Sequence, residues 1–220
     1  MVAPALILFI AFNTIPLITG AFYSFTNYKG YGSFEFVGLR NYIDLFSDAR
    51  VGNSYLFTFK YAIVGTVLVN VISLLLALGL NSKIKFKSAL RGVYFLPNVL
   101  GGLVVGYIFS FIFTYIIPTI GSALHINFLE NSILAGEETA WIGVLIVGVW
   151  QAVAMNTIIY ISGLQTIPTD IYEAGMIDGV TPWQKFRHLT LPMLMPFVTT
   201  NLVLSTKNML MVFDQIMALT

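Results

Sequence analysis

Apolar positions run along this chain in long, nearly unbroken blocks, and charged residues fall almost entirely between them. Met1 to Tyr28 carries no charged side chain, and neither do Tyr61 to Ser82, Thr139 to Thr169 or Leu189 to Thr206. Gly92 to Leu129 holds only His125, and Lys207 and Asp214 alone interrupt the last apolar run toward Thr220. A helix that crosses the hydrocarbon core needs about 20 mostly apolar residues. The blocks therefore predict spans near residues 4–26, 55–81, 92–117, 139–164 and 192–218. Helix is the required form, because an open strand cannot satisfy its backbone in lipid. The short alternating segments of a barrel do not match these runs. The predicted fold is all-α: one polytopic transmembrane helical bundle over residues 1–220. The first block lacks the basic start of a secretory leader and contains Asn13 and Pro16, so it reads as a true span.

Composition supports lipid as the solvent. The chain is 57% hydrophobic and 10% charged, with mean hydropathy +0.84. Soluble domains carry about 25% charged residues. The formal net charge of +1 gives no reason to expect a nucleic-acid partner. Cysteine is absent, which excludes disulfides and thiolate chemistry. His125 and His188 are far apart, and no metal site is expected. Loop charges set orientation. Lys83, Lys85, Lys87 and Arg91 share one short loop, and Lys185 and Arg187 lie in the loop two spans later. Those loops share a side, expected to be the cytoplasm. The loop 118–138 has Glu130, Glu137 and Glu138 and no Lys or Arg, as expected outside. Five spans that start inside end outside, so a further C-terminal span is expected beyond Thr220.

Residues 165–192 form the most informative loop. Pro168, Thr169 and Asp170 make a helix start. Ile171 to Ile177 can form two turns, and Gly179 suits the left-handed position that ends a helix. Thr181 can then cap a second helix with Pro182 at its first position. Trp183, Phe186, Leu189 and Thr190 lie on a semi-apolar stripe of that helix. The pattern predicts a helix–turn–helix at the membrane surface whose apolar side chains need a protein partner.

This loop resembles the EAA loop of binding-protein-dependent ABC importer permeases. Glu173 and Ala174 are followed by Gly179, Leu189, Leu191 and Pro192 at the family's spacing. Gly175 replaces the second alanine, and Leu189 stands where isoleucine is more usual. Phe36-Val37-Gly38-Leu39-Arg40-Asn41-Tyr42 and Tyr94-Phe95-Leu96-Pro97 resemble segments of the sugar-uptake branch, whose relatives include the maltose and glycerol-phosphate permeases. The resemblance implies a type I ABC importer permease core. Its coupling residues would be Glu173, Ala174, Gly175, Asp178, Gly179, Leu189, Leu191 and Pro192. It also implies two cytoplasmic ATPase subunits that bind ATP and magnesium, a second homologous permease forming a heterodimer, and an extracellular sugar-binding protein. The implied setting is multi-pass in a bacterial cell membrane, surrounded by lipid, with the EAA loop cytoplasmic.

No phosphate-cradling Gly-x-x-x-x-Gly-Lys-Ser/Thr, no His-Glu-x-x-His and no Gly-x-Ser-x-Gly occurs. The chain is thus expected to be a transport subunit, not an enzyme, with no cofactor of its own. Asn201, Ser205, Asn208 and Gln215 fall on one helical stripe, and Asn156 and Tyr160 on another. Asn156, Tyr160, Asn201, Ser205 and Asn208 are the substrate-path candidates, with polar contacts between helices as the competing role. The expected activity is carbohydrate import, of an oligosaccharide or multiple sugars. A glycerol-phosphate or polyol permease is the alternative, and a self-sufficient secondary transporter a more distant one. Gly102-x-x-x-Gly106 predicts close helix approach.

Overall fold

The computed structural model describes residues 2–81, 92, 97 and 100–219. Lys83, Lys85, Lys87, Arg91 and the Tyr94-Phe95-Leu96 stretch lie outside the described residues. Those that are described form two compact units, Met1–Phe57 and Thr58–Thr220. Five described helices are long and apolar enough to cross a membrane: α1 (Ala3–Tyr23), α3 (Ala49–Asn81), α4 (Gly102–Leu124), α5 (Glu138–Thr166) and α7 (Pro182–Leu210). Shorter helices are α2 (Arg40–Ser47), α6 (Thr169–Ile177) and α8 (Asp214–Leu219).

In the first unit, α1 leads into a loop closed by a bridge between Thr26 and Phe36. Asn41 ties the loop shut by donating from Nδ2 to the carbonyls of Ser24 (2.9 Å) and Thr26 (2.7 Å). The Tyr42 hydroxyl meets that of Ser24 at 2.7 Å, and Phe36 stacks on Phe25. Gly38 takes φ +62°, a left-handed turn that glycine enters without a Cβ penalty. The Phe36 to Tyr42 motif is thus a folding device for this loop. Asp48 starts α3: its carboxylate accepts from the Arg50 backbone N–H (2.9 Å) and pairs with the Arg50 guanidinium (2.9 Å).

Three helices widen into a π turn just ahead of a proline. Ile10–Thr14 precedes Pro16, Ile112–Ile116 precedes Pro118, and Lys185–Thr190 precedes Pro192. Proline lacks an N–H and its ring clashes with the carbonyl four residues back. One wider turn absorbs the mismatch while the helix continues. Pro196 lies inside α7 without such a turn, and nothing in the structure explains the difference.

The second unit is organised around α5. Buried positions of α3 (Tyr61, Ala62, Gly65, Thr66, Val69, Asn70, Ser73, Ala77, Leu80) recur at helical period and form one face. Ala77 and Leu80 meet Tyr160, Ile161, Leu164 and Ile167 of the α5 end and Leu194 of α7 in an apolar cluster. Gly163 of α5 allows this approach, since a Cβ there would sit 2.6 Å from the Phe197 ring. The Gly102-x-x-x-Gly106 motif does serve close packing, and its partner is α8. Cβ atoms on Gly102 and Gly106 would strike Asp214 and Ala218, four residues apart on the facing helix. The last span differs from expectation. α7 ends at Leu210, not near 218, and Met211 to Phe213 turn the chain before α8. Gln215 therefore lies on a different helix from Asn201, Ser205 and Asn208.

Candidate functional site

α6 and the start of α7 form the predicted helix–turn–helix. Its corner is a Schellman motif: Val180 N–H donates to the Gly175 carbonyl (3.1 Å) and Gly179 N–H to that of Met176 (3.2 Å). Gly179 has φ +69°, the left-handed value this cap requires. Thr181 then opens α7 with a capping box. Its hydroxyl accepts from Gln184 N–H (3.3 Å), and the Gln184 side-chain oxygen accepts from Thr181 N–H (2.8 Å).

The two faces of α6 differ. Glu173, Ala174, Asp178 and Gly179 are exposed, as are Met176 (63%) and Ile177 (88%). Met176 and Ile177 are adjacent exposed apolar residues on the same short helix as the Glu173 carboxylate. Gly175 is buried against α7. A Cβ there would lie 2.9 Å from Leu189 Cδ1 and 3.1 Å from Val180 Cγ2. The two departures from the EAA pattern therefore touch: the Leu189 methyl occupies the space that an alanine at 175 would need. Leu191 is half-buried and Pro192 exposed, directly after the π turn.

Tyr172 joins α6 to the rest of the unit. Its ring packs on the apolar cluster of α3, α5 and α7. Its hydroxyl lies 3.2 Å from that of Thr190, which is 5% exposed. Lys185 Nζ sits 4.3 Å over its ring centroid.

Deeper in the unit, four of the substrate-path candidates are enclosed. Tyr160, Asn201 and Ser205 are at most 1% exposed and Asn156 is 2% exposed. Tyr160 donates its hydroxyl to Asn70 Oδ1 (2.8 Å), and Asn70 Nδ2 donates to Ser205 Oγ (2.8 Å). Ser205 Oγ donates to the Asn201 carbonyl (2.6 Å), and Asn201 Nδ2 to the Asn156 carbonyl (3.1 Å). The chain of bonds links α3, α5 and α7. Oδ1 of Asn156 and of Asn201 is buried without a protein partner. Asn70 was missed as a site residue, though an amide in the middle of the apolar stretch from Tyr61 to Leu80, with Thr66 and Ser73 on the same face, is a readable signal.

Asn208 is separate from this network. It faces a cavity of about 260 Å³ whose other polar lining is Tyr61, Gln151, Asp214 and Gln215. Gln215 Nε2 donates to Gln151 Oε1 (3.1 Å), and Gln151 Nε2 to the Leu100 carbonyl (3.0 Å). Amides that both donate and accept suit a polyhydroxylated ligand. Lys207 lies elsewhere on α7, in an apolar groove with Leu202, Val203, Leu210 and Met211.

The chain is similar to known proteins over nearly its whole length. The family model described as "Binding-protein-dependent transport system inner membrane component" matches residues 69–214. The chain is 43% identical over 216 residues to the multiple sugar-binding transport system permease protein MsmF of Streptococcus mutans, covering 98% of this chain and 74% of that protein. It is 39% identical over 219 residues to the probable starch degradation products transport system permease protein AmyD of Thermoanaerobacterium thermosulfurigenes, covering 100% and 75%. A chain in the crystal structure of a bacterial ABC transporter that imports the acidic polysaccharide alginate matches with TM-score 0.80 at 20% identity, covering 95% of this chain and 71% of that one. At that identity the likeness speaks for the fold.

Proposed function

Since this chain belongs to the family of binding-protein-dependent transport system inner membrane components, we propose that it is a membrane-spanning subunit of an ATP-driven importer for carbohydrates. The sugar class rests on relatives named for starch degradation products and for multiple sugars. The observation that carries the mechanism is α6. It is a short helix, closed at its C-terminus by the Gly179 corner, that offers Glu173, Ala174, Met176 and Ile177 outward while Gly175 packs closely on α7. In this reading α6 seats in a groove of a separate cytoplasmic ATPase that binds ATP and magnesium. Small and apolar residues enter the groove, and Glu173 fixes the docking angle through charge-assisted hydrogen bonds. Asp178 and Gly179 hold the corner, and Leu189, Leu191 and Pro192 carry it into α7. ATP-driven closure of two such ATPases would move α6 and alternate access between the two sides.

A second, homologous permease would complete the translocation path, and an extracellular binding protein would deliver the sugar. The cavity beside Asn208, lined by Gln151, Asp214 and Gln215, is the stretch of that path assigned to this chain. Asn156, Tyr160, Asn201 and Ser205 would set the packing of its walls. The basic residues of loops 82–91 and 165–191 favour a cytoplasmic α6 in a bacterial plasma membrane.

The absence of cysteine makes the sidedness test clean. Ile177→Cys should react with a membrane-impermeant maleimide only from the cytoplasmic face. Glu173→Lys should leave insertion intact while abolishing both ATPase co-purification and sugar uptake. Labelling from outside, or full uptake by the Glu173 variant, would refute the proposal.

A further inference from the structure

We infer that Tyr172 is the positioning residue that transmits the stroke of α6 into the membrane helices. Its working depends on α6 seating on an ATPase, as proposed above. A docking helix held only by its two chain connections would swivel when pushed, and the push would be lost in the loops. Rigid transmission needs a side chain that belongs to both bodies. Tyr172 lies on the same short helix as the outward-facing Glu173, Met176 and Ile177. It packs against the cluster in which Ala77 and Leu80 of α3, Leu164 of α5, Ile167 just after α5 and Leu194 of α7 converge.

Three contacts fix that ring. The hydroxyl bonds Thr190, the last residue of the π turn and the residue before Leu191-Pro192. Thr190 is buried, and its hydroxyl also donates to the Lys185 carbonyl (3.3 Å), so the partner is itself held. Lys185 covers one ring face from the first turns of α7. One turn along α6, the Gly175–Leu189 contact prevents α6 from rolling away from α7. A π turn breaks the i→i−4 register of its helix, which leaves a discontinuity that can bend. Tyr172 bridges this soft segment, gripping Lys185 at one end and Thr190 at the other. The grip would make α6, the π turn and the apolar cluster move as one piece.

The test uses the assembled transporter in proteoliposomes, with its ATPase subunits and binding protein, and measures sugar imported per ATP hydrolysed. Tyr172→Leu keeps an apolar plug and removes both the hydroxyl and the ring face. The expected result is an assembled complex that still hydrolyses ATP while import per ATP falls about tenfold, the effect of losing both the hydrogen bond and the cation–π contact. Tyr172→Phe restores the ring alone and should recover part of the ratio. Thr190→Val should lower the ratio as Tyr172→Phe does, about fivefold, and the double variant Tyr172→Phe/Thr190→Val should be no worse than either single. That pair keeps the packing and decides the matter if Tyr172→Leu does not assemble. An unchanged import-to-hydrolysis ratio in the Phe and Val variants, or a fully additive double variant, would overturn the inference. Failure of the unaltered chain to recruit any ATPase would instead overturn the proposed function.

Discussion

Asn70 is the test of what holds the three central helices together. Its side chain bonds α5 through the Tyr160 hydroxyl and α7 through Ser205, each at 2.8 Å. Asn70→Leu keeps the volume and removes both. Bonds between membrane helices are worth about 0.6 kcal/mol on average and up to about 1.7, so the two losses come to about 1–3 kcal/mol. Ser205 keeps its bond to the Asn201 carbonyl and is not orphaned. The Tyr160 hydroxyl, 1% exposed, loses its acceptor, and an unsatisfied buried group costs a further 1–3 kcal/mol or so. Leucine's better fit to apolar surroundings offsets part of this, giving a net loss of about 2–4 kcal/mol. Tyr160→Phe removes one bond and orphans Asn70 Oδ1, for about 1–2 kcal/mol. The double variant contains neither orphan, so its loss should be smaller than the sum of the singles by about 1 kcal/mol. Unfolding of the purified protein by SDS titration from mild detergent micelles gives all three values. An Asn70→Leu protein within about 0.5 kcal/mol of the parent, or strictly additive singles, would refute the claim that this bond network joins α3 to α5 and α7.

Further expectations follow from single positions. Gly179→Val places a β-branched residue at φ +69°; thermal unfolding should show a loss of more than about 1–2 kcal/mol, the left-handed cost for an ordinary residue. Gly175→Ala gains about 1 kcal/mol of helix propensity but meets the Leu189 methyl, so its melting temperature should hardly change. Gly175→Ala with Leu189→Ile moves that methyl and should melt higher than the parent. Gly106→Leu drives a side chain into Ala218, and α8 should detach, seen as faster proteolysis or labelling of residues 214–219. Asp48 carries a pH dependence: its hydrogen-bonded ion pair with Arg50 holds the carboxyl below its ordinary value of 3.8. A lowered carboxyl pKa contributes stability that is full above the unfolded pKa and lost as pH falls through the folded one. Fraying of the α3 start, followed by amide exchange at Arg50, should therefore rise only in acid, and in Arg50→Ala it should set in at higher pH.

The surface loop was legible because its chemistry is local. Gly179, Thr181 and Pro182 act through caps that depend on neighbouring backbone, and the structure places each as the spacing predicts. The long apolar blocks likewise gave the helices. Their ends were less legible, since apolar residues read alike on both sides of a break. Asp214 interrupts the last block as the first residue of α8, but Met211 to Phe213, which make the turn, carry no turn signal. The polar stripes stand out on α5 and α7 because each repeats along its helix, whereas their shared partner Asn70 is a single amide in the uncharged stretch of α3 from Tyr61 to Leu80. Which polar residues face each other and which face a cavity depends on helix rotation, a tertiary quantity. Asn208 and Ser205 are three residues apart and have opposite fates.

Tyr160 gives the second unit its continuity. Its ring belongs to the apolar cluster that receives Tyr172, and its hydroxyl opens the bond network that ends at Asn156. The cavity wall at Asn208 is one turn beyond Ser205 on α7. From Tyr172 to Asn156 the contacts run without a break. Adjacency of this kind is not yet coupling. Coupling requires that some part of the path take two arrangements, and the parts differ in their capacity to do so. The apolar cluster and the Asn70 network are close-packed and mutually bonded, which suits a rigid body. The π turn at 185–190 has a shifted register and sits between a surface helix and a span, which suits a joint. Loosening the rigid part should therefore lower stability and transport together. Loosening the grip across the joint should spare stability and waste ATP. Asn70→Leu and Tyr172→Phe sit on either side of that division, and a transporter in which both behaved alike would have its moving part somewhere else.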